Sequence, residues 1–213
     1  MRPHMSLRDT MMMEKSCGKC GQAIHGGGAL LGEADALTIR FDDISINADV
    51  TAARSMADQA MSQGARVLWC ISPLVHDIPE GEDQQRVFPQ ILKAYSDPSV
   101  FFHADRCGIP STPAGAVLAS HGLVHVDHRL LDAQAQWLSI ITSCSLVGAR
   151  VFVPPFNKWD TDTETICKRY NIELVKFEDG WKSMDHHRYD PEHKWWYCHS
   201  RRWTVDSFRE WWK

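Results

Sequence analysis

From Ala36 onward, short apolar runs alternate with amphipathic stretches, and this alternation predicts a set of elements. Runs rich in β-branched and aromatic residues predict strands at Ala36–Phe41, Arg66–Ile71, Val100–His103, Gly115–Ala119, Arg150–Val153, Ile172–Phe177 and Trp196–Cys198. Helical periodicity predicts helices at Asp49–Gln63, Gln85–Ala94, Leu130–Val147, Asp162–Tyr170 and Val205–Trp212. In the helix over Leu130–Val147, the spacing puts Leu131, Ala135, Leu138, Ile141 and Ser145 on one face. Strands separated by helices pair in parallel through right-handed crossovers, so about seven such units imply a barrel or a strongly curved open sheet. Residues 1–33 lack this pattern: they hold Met11–Met13, Cys17, Cys20 and the run Gly26–Gly28. They read as an extension ahead of a domain over 34–213.

Composition narrows the class. The chain of 213 residues is 44% hydrophobic and 23% charged, enough to bury the core of one α/β domain. A formal charge of −4 and a pI near 6.2 argue against a broad basic surface for nucleic acid. No apolar run is long enough for a bilayer, and Met1–Lys15 has no apolar stretch resembling a signal peptide, so the expectation is a cytoplasmic protein with no membrane partner. Seven cysteines, an odd number, point to reduced thiols rather than a disulfide framework. Cys17 and Cys20 form half of a zinc-ribbon pattern with no second half; His25 is a possible third ligand, and an unliganded tail is the simpler reading.

Chemistry-bearing residues fall just after the predicted strands: Asp42 and Asp43, His103 and Asp105, His121 and His125, then Pro154–Asn157. In α/β barrels the carboxyl ends of the strands converge on one face, where the reactions occur. An adjacent carboxylate pair can divide its work, one group binding a cation and the other moving a proton; the same pair also occurs in a solvated turn. Histidines four apart on a helical turn share a face and can share a metal, or can be a hydrogen-bonded pair without one. The spacing of His128 suits a supporting or surface position rather than a ligand. Cys107 has His103 nearby but no third residue to orient it as a nucleophile. Among the tryptophans crowding the C-terminal third, Trp211 and Trp212 read as core, whereas Trp159 and Trp203 stand beside the candidate motifs.

Taken in order, Phe41-Asp42-Asp43, His121-Gly122-Leu123-Val124-His125, Val153-Pro154-Pro155-Phe156 and Tyr197-Cys198-His199-Ser200 resemble the motifs of the polysaccharide deacetylases, the NodB homology domain. The match spans Ala36 to Lys213. This resemblance implies a distorted (β/α) barrel of about seven parallel strands and a metal-dependent deacetylase acting on an N-acetylated sugar or related substrate. It implies a divalent metal, zinc foremost with cobalt, nickel, iron or manganese as alternatives, held by Asp43, His121 and His125. Asp42 would be the general base and His199 the general acid that protonates the leaving amine. Pro155 and Phe156 would wall the site, with a backbone N–H near Phe156 assisting the oxyanion, and His103, Trp159, Arg202 and Trp203 would contact substrate.

The sequence departs from the family pattern at four points. Gly122 replaces a hydroxyl residue, which removes a supporting hydrogen bond. Val153 stands where the family often has an arginine paired to the catalytic aspartate, leaving Arg40 or Lys158 to take its place. Ile44 replaces the glycine after the acidic pair, and the interval from Asp43 to His121 is long. Two other readings follow from the same residues. One is a catalytically inactive barrel that binds a glycan or a protein. The other is a metal-dependent hydrolase of a nucleotide-type substrate, drawing on Arg201, Arg202 and the tryptophans.

Overall fold

The computed structural model describes residues 36–45, 50–73, 112–177 and 180–213. The predicted strand Val100–His103, the helix Gln85–Ala94, the candidates His103, Asp105 and Cys107, the segment with Cys17 and Cys20, and the side chain of Arg201 lie outside the described residues.

Seven strands are described: β1 Thr38–Ser45, β2 Arg66–Ser72, β3 Val117–Ser120, β4 Val151–Phe152, β5 Glu173–Leu174, β6 Lys182–Ser183 and β7 Trp195–His199. They form one sheet in the order β5-β4-β3-β2-β1-β7-β6, every pairing parallel. The sheet curls into a half-barrel, as the alternation of strands and helices predicts. Among the described residues four α-helices accompany it: α1 Thr51–Ser62, α2 Ala133–Val147, α3 Thr161–Arg169 and α4 Val205–Trp211. The two-residue β6 has no apolar run and no sequence signal of its own.

Side chains alternate between the two faces along β1 and β2. Ile39, Phe41 and Ile44 of β1 join Trp69 and Ile71 of β2, and this face packs against Met56 and Ala60 of α1 and Phe208 of α4. The opposite face carries Leu68, Cys70, Ala119, Val151, Val153, Val175, Trp181 and Tyr197. Arg40 belongs to this second face, its guanidinium 5.0 Å from the ring centroid of Trp181 and 4.8 Å from that of Tyr197. A third cluster joins Ile140, Ile141 and Cys144 of α2, Phe152 of β4, and Ile166 and Cys167 of α3.

Helix α2 corrects one expectation. It begins at Ala133 rather than Leu130, because Asp132 caps it by accepting from Ala135 N, and it ends where Gly148 turns left-handed at φ 73. Its buried residues are Gln136, Ser139, Ile140, Ile141, Ser143, Cys144 and Val147; of the expected face Ile141 is buried and so is Leu131 just ahead of the helix, whereas Ala135, Leu138 and Ser145 are only half-buried. The inward stripe is partly polar because those side chains have partners: Gln136 bonds Asp160, and Ser143 bonds Ser120. Apolar spacing alone therefore finds Ile141 and misses the polar part of the inner face.

Candidate metal centre

The acidic pair lies inside β1, not after it. Against β2, Phe41 pairs with Trp69 and Ile44 with Ile71, so β1 carries one extra residue between them. This β-bulge holds Asp42 and Asp43, and Asp43 sits at φ 62. A bulge re-aims side chains, which lets two neighbouring carboxylates serve one site. Left-handed backbone is uncommon for residues other than glycine, though aspartate tolerates it better than most.

His121 follows β3 directly, its N–H bonded to the Ile71 carbonyl at 2.8 Å. The segment through His125 is irregular rather than the helical turn expected, with Gly122 at φ 81. A Cβ at Gly122 would lie 2.9 Å from the Val124 carbonyl oxygen, 3.0 Å from His128 Cε1 and 3.2 Å from Pro155 Cγ. The hydroxyl residue of the related motif therefore has no room here. His121 Nδ1 lies 2.8 Å from the Val153 carbonyl. Since a carbonyl only accepts, Nδ1 carries the proton and Nε2 presents its lone pair, the tautomer of a metal ligand.

Asp43 Oδ1 is 3.7 Å from His121 Nε2 and 3.4 Å from His125 Nε2. One ligand atom from each residue lies within 4.8 Å of the others. Ligand atoms about 2.1 Å from a tetrahedral ion are about 3.4 Å apart, so these separations suit one divalent cation. One carboxylate and two imidazoles also suit zinc or a similar ion by charge and donor type. The His125 ring rests on Phe156, centroids 4.2 Å apart.

Asp42, 2% exposed, is held by Arg40, which has no exposure. Arg40 donates to Asp42 Oδ2 from Nε at 3.1 Å and from Nη2 at 2.8 Å, and Nη2 also donates to Asn157 Oδ1 at 2.6 Å. Of the two candidates for the missing motif arginine, Arg40 is thus the one that pairs with Asp42; Lys158 is exposed and lines the neighbouring cavity. Asp42 Oδ1 is buried and makes no hydrogen bond to nitrogen or oxygen among the described residues. The Cys70 thiol beside it is pushed well up, first by burial and then by the Asp42 charge, and burial does the same to Cys198. Neither is an activated nucleophile.

His199 ends β7 and pairs in register with Asp42 across the β1–β7 ladder. Its Nδ1 is 2.8 Å from Asp185 Oδ2. Asp185 also accepts the Trp203 indole N–H, and Arg202 Nη1 approaches it at 3.7 Å. Sequence reasoning missed Asp185, although it follows β6 as Asp42 and His121 follow or interrupt their strands. The two-residue strand hid that placement. Pro155 is buried under Gly122, and Phe156 and Asn157 both take left-handed backbone at φ 55. A cavity of about 600 Å³ opens beside them, lined by Arg129, Phe156, Asn157, Lys158, Trp159, Phe177 and Tyr197. Trp159 and Phe156 line it; Trp203 packs near Trp211, ring centroids 6.3 Å apart.

No family model matches the chain, and no curated protein matches it. Solved structures do. A family 4 carbohydrate esterase from Streptomyces lividans is 12% identical over 84% of this chain and 84% of that one, with a TM-score of 0.46. The peptidoglycan deacetylase PdaC from Bacillus subtilis is 9% identical over 83% and 80%, with a TM-score of 0.48. A CE4 family pseudoenzyme from Bacillus anthracis is 7% identical over 83% of this chain and 59% of that one, with a TM-score of 0.51. The last of these carries the likeness in fold, and since it is a pseudoenzyme the fold by itself leaves catalysis open. With its curled parallel sheet and strand order, the chain has a polysaccharide-deacetylase-like fold, at 7% identity to that structure.

Proposed function

We propose that this protein is a metal-dependent hydrolase that removes an acetyl group from an N-acetylated sugar or a related substrate. One observation carries the reading: Asp43, His121 and His125 converge within 4.8 Å, with Asp42 adjacent and His199 in register on the next strand. Asp43, His121 and His125 would hold the ion. Bound there, a divalent metal supplies a Lewis acid for the acetyl carbonyl and lowers the pKa of water.

The protein's own groups then divide the proton transfers. Arg40 fixes Asp42 through Oδ2, leaving Oδ1 to take the proton of the attacking water. Asp185 accepts from His199 Nδ1, which orients the ring so that Nε2 faces outward to protonate the leaving amine. The Phe156 N–H, on a turn at φ 55, supplies a fixed donor for the developing oxyanion. The cavity beside Phe156 and Trp159 has aromatic faces suited to a sugar ring. The lost motif arginine would favour an inactive glycan-binding barrel, but Arg40 restores the pairing.

Purified protein is expected to hold about one equivalent of zinc or a similar ion and to release acetate from N-acetylglucosamine oligomers. His121→Ala should lose the metal. Metal-free native protein would overturn the centre; metal without acetate release from any acetylated substrate would favour the binding barrel.

A further inference from the structure

The segment carrying His121 and His125 has no regular secondary structure, yet a metal centre requires its ligands to be held tightly. Its backbone is fixed from beneath by buried hydroxyls. Gly122 N donates to Ser120 Oγ at 3.3 Å, and Leu123 N donates to Ser139 Oγ at 3.1 Å. Ser143 Oγ donates to the Ser139 carbonyl at 2.6 Å, so it accepts from Ser120 Oγ, also at 2.6 Å. His128 Nε2 lies 3.0 Å from Ser139 Oγ, placing that hydroxyl between the loop and an imidazole.

Ser120, Ser139, Ser143 and His128 all have 0% exposure. A buried polar group left without a partner costs about 1–3 kcal/mol, whereas apolar replacements of the same shape can be neutral. Packing α2 on the sheet would be served as well by alanine or valine. The polar choice has meaning because two of the groups it satisfies are the loop amides between the histidines. His128 also fills the space above Gly122 that a hydroxyl side chain would occupy.

We propose that Ser120, Ser139, Ser143 and His128 form a positioning relay for the metal centre, replacing from the end of β3, from α2 and from its approach the hydroxyl that Gly122 lacks. The inference rests on Asp43, His121 and His125 binding a divalent ion. Zinc affinity of the full chain, measured by chelator competition, tests it alongside the metal-free melting temperature. Ser139→Ala should weaken zinc about tenfold. Thr163→Val serves as the control: it removes an equally buried hydrogen bond to Gln136 Oε1, at 2.7 Å, without touching the loop. That variant should melt earlier and keep its zinc affinity. If Ser139→Ala fails to fold, Ser120→Ala, which removes the acceptor for Gly122 N, carries the same expectation. Zinc affinity within about twofold of wild type in a folded relay variant overturns the relay alone. Wild-type protein that binds no zinc overturns the metal reading and the relay with it.

Discussion

Arg40 and Asp42 are two residues apart on one strand, both buried, and each is the other's main charge partner. Removing one side of such a pair strands the other in a medium that cannot solvate it. Arg40→Met should therefore lower stability by about 3–5 kcal/mol in urea unfolding, and a loss under about 1 kcal/mol would show that the pair is not coupled. Asp42→Asn keeps the shape and much of the hydrogen bonding. It should cut acetate release by roughly 10²–10⁴-fold while metal content is unchanged. At this scale the candidate triad of Asp43, His121 and His125 was legible from residue type and motif order, although Asp43 lies in a bulge inside β1 and only His121 directly follows a strand. The partner of Asp42 was legible only as a choice between Arg40 and Lys158. Asp185 was invisible, since a carboxylate that orients a histidine 14 residues away leaves no local pattern.

Helices α2 and α3 show how elements depend on one another. Asp160 caps α3 by accepting from Thr163 N at 3.0 Å, and its other oxygen accepts from Gln136 of α2 at 2.9 Å. Asp160→Ala removes a cap and a bond between elements, and should cost about 1–2 kcal/mol, read as a lower melting temperature. The expected helix began at Asp162, one residue late, so the cap at Asp160 came only with the structure. The contact with Gln136 did too, because it depends on which side of α2 faces inward, and apolar periodicity caught only Ile141 of that side within the helix. Strand β1 teaches the converse. Its apolar alternation ends the predicted strand at Phe41, but pairing with β2 and β7 carries it through the bulge to Ser45. Asp42 and Asp43 stay within the strand because β2 and β7 continue to pair with it around the bulge.

For the whole molecule, acid should act through His128. Burial, with His121 beside it, lowers this imidazole from 6.5 to about 4. Between those values the unfolded chain takes a proton that the folded protein refuses, so stability falls as pH falls through that window. The shift corresponds to about 3 kcal/mol in all, and His128→Gln should flatten the slope between pH 6.5 and pH 4 in urea titrations. A ligand that binds only the folded state stabilises by mass action, so zinc should raise the melting temperature of the wild type and leave that of His121→Ala unmoved. The sequence by itself determined the parallel α/β class, since helices between apolar runs leave few other connections. It also determined which aspartate and histidines to watch, because residue type and order survive without coordinates. The tertiary structure alone decided that Arg40 pairs with Asp42, that Asp185 accepts from His199, and that α2 turns Ser139 toward the loop between His121 and His125. The physical reason is common to all three: hydrogen bonds between buried side chains follow from strand register and helix rotation, and neither is written in local spacing.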